Sequence, residues 1–231
     1  MGFKALIDVG GKTLLERAIL NLAPHVDQIS IAIDPDMCEA VESLLERLSL
    51  SSRLGQSGTY RASWSEQHLP GQTACPPPTL TEGGNTRQAS VKNLLESTNA
   101  EYVLIHDAAR PFLSARVIID MLEAIQKHGA ATVALPCVDT LVRSSGELWE
   151  GLLDRTQIQT IQTPQGGRRD WLLEAHQSAL EENWSATDDA GLLARAGHTV
   201  HLVRGDSRLF KVTTPEDLEM ARALAGAKKK A

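Results

Sequence analysis

Strand-forming runs alternate with helix-patterned runs along almost the whole chain, and no other feature narrows the possible folds as much. Parallel strands need a long crossover between them, and a helix is the usual one. The alternation therefore implies an α/β fold, a mostly parallel sheet covered by helices. The extended runs are QISIAID, TLTEGG, EYVLI, AATVALPCVDT, IQTIQTPQ, HTVHLVRG and RLFKVTT. Between them the helices announce their ends. Thr13 and Glu16 form a capping box ahead of an apolar stripe of Leu14, Leu15, Ala18, Ile19 and Leu22, which Pro24 terminates. Asp34-Pro35 is a cap followed by a first-turn proline, with Val41, Leu44, Leu45 and Leu48 behind it. Ser114 caps the run Val117, Ile118, Met121, Leu122 and Ile125, and Gly129 ends it. Thr214-Pro215-Glu216-Asp217 supplies a cap, a proline and an acidic first turn for the last helix.

Two stretches break this rhythm. Residues 51–78 are rich in Ser, Gly, Gln and Pro without sustained periodicity, which predicts an inserted flexible surface loop. Around RSSGE two extended runs follow one another with little helix between, predicting a β-arm over about 137–165 that leaves the main sheet. With 231 residues the chain is expected to form one domain, 1–231, carrying both features.

Bulk properties exclude several classes. A net charge of −6 argues against a nucleic-acid surface, which wants a basic face. No apolar run approaches the roughly 18–20 residues that span a bilayer, and the start has neither a signal core nor a transit pattern, so a cytoplasmic protein is expected. Cys38, Cys75 and Cys137 lack metal-ligand spacing and are expected as unpaired thiols. The Lys228-Lys229-Lys230 tail reads as a solvated end.

In open α/β sheets ligands bind at the carboxyl ends of strands. Gly83-Gly84-Asn85-Thr86-Arg87 joins a strand to a helix start, where glycines let the backbone approach a ligand and free N–H groups can receive an anion; a plain turn is the alternative. His106-Asp107-Ala108-Ala109-Arg110 follows a buried-type strand. Asp107 can hold Mg²⁺ against a triphosphate and Arg110 can clamp a phosphate, or the two can simply pair. His106 reads as a packed, hydrogen-bonded histidine rather than a base. Asp154-Arg155 and Lys211 alone read as solvated charges, and Asp188-Asp189, at a helix start, as capping and dipole residues. No nucleophile-elbow, dinucleotide or P-loop motif occurs, so a reaction without a protein nucleophile fits best. Nucleotidyl transfer is one, because positioning and charge neutralisation carry it.

The segments GGNTRQASV, VLIHDAARPF, ALPCVDTLVR, LLDRTQIQTIQTPQG, TDDAGLLARAG and RLFKVTTPEDLEMA, in that order, resemble the 2-C-methyl-D-erythritol 4-phosphate cytidylyltransferases of the non-mevalonate isoprenoid pathway, from Leu80 to Leu224. KALIDVGGKTLLERAI is similar to the segment that follows the nucleotide loop of that family. The resemblance implies a Rossmann-like sheet, a β-arm exchanged in a homodimer, CTP and a sugar-alcohol phosphate as partners, Mg²⁺, and release of pyrophosphate. It implies that Gly83, Gly84, Asn85, Arg87, Ser90 and Ala108 surround the nucleotide and that Asp107 holds the metal. Arg110, Thr140, Arg155 and Lys211 would bind the sugar phosphate, the two arm residues reaching into the partner's site, and Lys4, Arg155 and Lys211 would be catalytic. The family carries an apolar strand and a loop of the form A-A-G-x-G-x-R-M-G ahead of the lysine. Met1-Gly2 matches the end of that loop, and a start further upstream is expected. Ribitol phosphate is the alternative substrate, which Ala108-Ala109-Arg110-Pro111 disfavours, and a non-catalytic binding relative is the alternative class.

Overall fold

A computed structural model describes residues 4–48, 50–54, 60–64 and 78–227. Met1-Gly2, Cys75 and the lysine tail lie outside the described residues. The seven α-helices among the described residues are α1 (Leu14–Leu22), α2 (Cys38–Arg47), α3 (Arg87–Glu96), α4 (Ala115–His128), α5 (Arg169–Glu181), α6 (Asp189–Arg195) and α7 (Pro215–Ala227). The strands are β1 (Ser30–Ile33), β2 (Leu50–Leu54), β3 (Tyr60–Trp64), β4 (Thr79–Glu82), β5 (Tyr102–Ile105), β6 (Ala130–Pro136), β7 (Leu141–Ser145), β8 (Leu148–Leu153), β9 (Gln159–Arg168) and β10 (His201–Arg204).

They form two four-stranded sheets, ordered β1-β4-β3-β2 and β10-β6-β9-β5, and a separate β7-β8 hairpin. The sheets are mixed. β1 runs parallel to β4 and β10 to β6, whereas β9 is antiparallel to both β5 and β6. The capped helices form where their signals stand: Thr13 and Glu16 close the capping box of α1, Ser114 caps α4, and Gly129 ends it in the left-handed conformation at φ 81°.

Helices cover the sheets through apolar stripes. Leu15, Ile19, Leu44 and Leu45 of α1 and α2 bury Ile33 and Leu80 of β1 and β4. Val117, Ile118, Met121 and Ile125 of α4 pack on Ala131 and Val133, while Leu172, Leu192 and Leu193 of α5 and α6 pack with Ala130 and Ile105. Since successive strand residues point to opposite faces, β6 is covered on both. No described helix is long and apolar enough to cross a membrane.

Three sequence expectations change. Leu50–Leu54, which runs into the stretch read as loop, and Tyr60–Trp64 within it pair with each other, and Tyr60 and Arg61 extend the sheet through Leu80 and Thr79; the remainder of that stretch up to residue 77 lies outside the described residues. A backbone ladder at a sheet margin does not require the apolar alternation by which strands are recognised. The run IQTIQTPQ belongs to the second sheet, between β5 and β6, so that among the described residues only the β7-β8 hairpin stands apart as an arm. Polarity disguised it: Gln162, Thr163 and Gln165 are buried with hydrogen bonds to protein groups instead of water. RLFKVTT is one short 3₁₀ turn, Ser207–Leu209, and an extended tail tied by Val212 N–H donating to Ala109 O at 2.9 Å.

Candidate active site

The carboxyl ends of β4 and β5 both lead into polar turns. Behind β4, Gly83 N–H donates to Ile33 O at 2.7 Å, and Gly84 lies so close to α3 that an added Cβ would sit 2.4 Å from that of Ala89. Ser90 stitches this turn to the helix, accepting from Gly84 N–H at 3.0 Å and donating to Thr86 O at 2.9 Å. Thr86 caps α3 by accepting from Ala89 N–H, which sets Arg87 at the first helical position, and Asn85 is exposed.

Behind β5, Asp107 and Arg110 form a turn closed by Arg110 N–H donating to Asp107 O at 2.9 Å. His106 spans that turn, with Nε2 3.1 Å from Arg110 O and Nδ1 3.1 Å from Thr163 Oγ1. The carbonyl can only accept, so Nε2 carries the proton and Nδ1 accepts from Thr163, whose oxygen in turn accepts from Asp107 N–H at 3.0 Å. Burial pushes the His106 imidazole down to about 4, so the ring is neutral near pH 7 and acts as a brace rather than a base.

Three cations converge on Asp107: Lys211 Nζ lies 2.9 Å from Oδ2, Arg87 Nε 3.4 Å from Oδ1 and Arg110 Nε 3.9 Å from Oδ2. Burial alone would raise the Asp107 carboxyl, but the hydrogen bond and charge of Lys211, joined by Arg87 and Arg110, hold it below the usual carboxylate range. It stays ionised. Arg110 is held in turn by its Nη1 donating to Leu209 O at 2.8 Å, while its buried Nε has no hydrogen-bond partner among the described residues. Burial pushes Arg110 down from the ordinary guanidinium value, yet that value is far enough above neutrality for it to remain charged.

These four side chains, with Thr163 and Gln165 of β9, line a hollow of about 200 Å³. An ionised carboxylate ringed by cations, one with an unused buried N–H, suits a polyanion that would replace part of the internal pairing. Among the described residues no three acidic, His or Cys groups come together to enclose a metal. A single hard oxygen donor beside cations that could take up phosphate still fits Mg²⁺, which commonly takes one or two carboxylates and completes its shell with phosphates and water.

Other expected residues fall elsewhere. Ala108 packs against the core of the first sheet, and Lys4 heads a short 3₁₀ turn, Lys4–Leu6, leading toward α1. Asn21 of α1 donates to Pro111 O at 3.1 Å, tying that end of the molecule to the Asp107–Arg110 turn. Thr140 and Arg155 lie on the arm, around a separate hollow that includes Asp154 and Leu152, and Arg155 donates to Val138 O at 2.6 Å. They are not brought to Asp107 within this chain's hollow.

Sequence reasoning passed over Asp189. Asp188 caps α6, accepting from Gly191 N–H, as expected. Asp189 instead is buried against His176 and reaches Arg87, and only the acidic pair at a helix start hinted at it. Gln165, equally unremarked, accepts from the backbone N–H groups of Asp189 and Ala190 and so fastens α6 to β9.

Comparison with known proteins places the whole chain rather than its single side chains. The family described as IspD, 2-C-methyl-D-erythritol 4-phosphate cytidylyltransferase, matches residues 2–226. A protein of that name from Deinococcus radiodurans is 47% identical over 226 residues, covering 98% of this chain and 83% of its own length. One from Geobacillus kaustophilus is 40% identical over 224 residues, covering 96% of this chain and 88% of its own. The crystal structure of 2-C-methyl-D-erythritol 4-phosphate cytidylyltransferase from Thermus thermophilus superposes with a TM-score of 0.75 at 34% identity, over 98% of this chain and 95% of that one.

Proposed function

The chain belongs to the 2-C-methyl-D-erythritol 4-phosphate cytidylyltransferase family, and from that premise we propose that it joins CTP to 2-C-methyl-D-erythritol 4-phosphate, giving 4-diphosphocytidyl-2-C-methyl-D-erythritol and pyrophosphate for isoprenoid precursor synthesis. The observation that carries the reading is the ionised Asp107 ringed by Arg87, Arg110 and Lys211 in one polar hollow. In this reaction a phosphate oxygen of the sugar alcohol attacks the α-phosphorus, and pyrophosphate departs. The protein has only to hold two anions in line and offset their repulsion.

Lys211 would leave Asp107 to orient the attacking phosphate, with Arg110 beside it. Gly83, Gly84, Asn85, Arg87, Ser90 and Ala108 would receive the nucleotide, and Lys4 would offset the triphosphate's charge. Mg²⁺, held by Asp107, would further neutralise phosphate oxygens when bound. Thr140 and Arg155 would bind the sugar phosphate from the arm of a second copy. The homodimer is supported by Val138, Leu148, Trp149 and Leu152, which expose apolar side chains on and beside the β7-β8 hairpin. A cytoplasmic location goes with this reading, because both substrates are charged, water-soluble phosphates.

The test is pyrophosphate release from CTP offered with either methylerythritol phosphate or ribitol phosphate, with and without Mg²⁺. Release with methylerythritol phosphate that requires Mg²⁺ is expected. Faster release with ribitol phosphate would transfer the activity to that substrate, and no release with either would leave a binding protein.

A further inference from the structure

Beside the hollow runs a buried chain of polar side chains that the reaction does not explain by itself. Asp189 is 1% exposed, and so is His176 of α5, whose Nε2 lies 3.2 Å from Asp189 Oδ1. The other oxygen, Oδ2, lies 2.8 Å from Arg87 Nη2, and Arg87 extends from there to Asp107, its Nε 3.4 Å from Oδ1. A single guanidinium thus bridges a buried carboxylate and the carboxylate that lines the hollow. A guanidinium stays protonated at any ordinary pH, so the bridge carries its charge.

Burying a carboxylate costs several kcal/mol unless it is well paired, and packing alone does not call for an aspartate at this position. The α6 cap is already made by Asp188. The start of α6 is already fastened by Gln165, which accepts from Asp189 N–H at 2.8 Å and Ala190 N–H at 3.0 Å. What those bonds leave to the Asp189 side chain is its pair of contacts, one on His176 and one on Arg87.

We propose that Asp189, braced by His176, is a positioning residue that aims the Arg87 guanidinium at the nucleotide-binding hollow. The inference deepens the reading given above, since it rests on Arg87 receiving the nucleotide. An arginine that bridges two carboxylates has lost most of its rotamer freedom before the ligand arrives, and such preorganisation raises affinity. A lysine could satisfy either carboxylate but could not span both.

The experiment measures CTP binding by calorimetry, without the second substrate, on the wild type and on Asp189→Asn, Arg87→Ala, Arg87→Lys and the double variant Asp189→Asn/Arg87→Ala. Thermal unfolding of each shows that it is folded. Asp189→Asn is expected to weaken CTP binding about tenfold in the wild type and less than twofold once Arg87 is gone, because coupled residues do not add. A merely structural Asp189 would weaken binding equally in both backgrounds, and that result overturns the proposal. If Asp189→Asn fails to fold, Arg87→Lys decides: a loss close to that of Arg87→Ala supports bridging, and binding within twofold of wild type overturns it. No CTP binding by the wild type would refute the nucleotide reading itself, whereas CTP binding with additive losses would refute only the positioning role.

Discussion

At the scale of single residues the site is a problem of charge balance. Asp107 is the counter-ion of three cations, and Lys211 is the nearest and most exposed, with 42% of its side chain accessible. That combination lets Lys211 exchange its internal partner for a phosphate at small cost. Lys211→Met keeps most of the length of the side chain and removes the charge, and because the lysine is surface-exposed the fold should tolerate it. We expect kcat/KM for pyrophosphate release to drop by about a hundredfold, the scale of losing one preorganised electrostatic contact in a closed site. A drop of less than threefold would remove Lys211 from the machinery. Asp107, Arg110 and the glycine turn were legible because each stands directly after a strand, where chain order and place in the fold coincide. Asp189 was not. A carboxylate at a helix start is already accounted for by the dipole, and its partners come from α3 and α5, which only the folded chain brings beside the hollow.

At the scale of elements, local chemistry decided the helices and long-range contacts decided the strands. Caps at Thr13, Ser114 and Gly129 act over a few residues, so those ends could be read directly. β9 could not, since its Gln and Thr side chains are buried by neighbours far away in sequence. The β4–α3 turn shows how tightly one element constrains the next. An alanine at position 84 would drive its Cβ to 2.4 Å from Ala89 Cβ and 3.0 Å from Ala89 C, against helix backbone that cannot yield. Gly84→Ala should therefore cost about 1–3 kcal/mol, read as a lower urea midpoint at an unchanged slope. The last helix offers a test by pH. Asp217 accepts from Thr213 N–H at 2.8 Å, Thr213 Oγ1 at 2.6 Å and Thr214 N–H at 2.8 Å, and these bonds lower its carboxyl to about 2. A depressed folded-state value gives stability that is complete above the ordinary carboxylate range and is lost as the pH falls toward about 2. Wild type should unfold at a higher temperature than Asp217→Asn at pH 7, with the difference shrinking below pH 4 and gone near pH 2. A constant difference across that range would contradict the capping role.

At the scale of the molecule, the arm makes this fold look unfinished as a single copy. A lone two-stranded hairpin is marginal in water, yet among the described residues β7 and β8 pair only with each other and leave Leu148, Trp149 and Leu152 more than half exposed. The same arm holds Thr140 and Arg155, which the proposed reaction needs but which line a hollow apart from Asp107. Both facts are met if two copies exchange arms about a two-fold axis, each completing the other's site. Sedimentation should then find a dimer that Trp149→Glu weakens or abolishes, with pyrophosphate release lost in parallel. Mixing makes a sharper test. Arg155→Ala damages the arm and Lys211→Met damages the hollow, so each variant alone is inactive in both of its sites. Unfolded together and refolded, half of the dimers should be mixed, and in each of these one site joins an intact hollow to an intact arm while the other carries both lesions. Activity should return to about a quarter of the wild-type value, the statistical share of intact sites. If arm and hollow instead serve the same copy, every site keeps a lesion and the mixture stays as inactive as its parts.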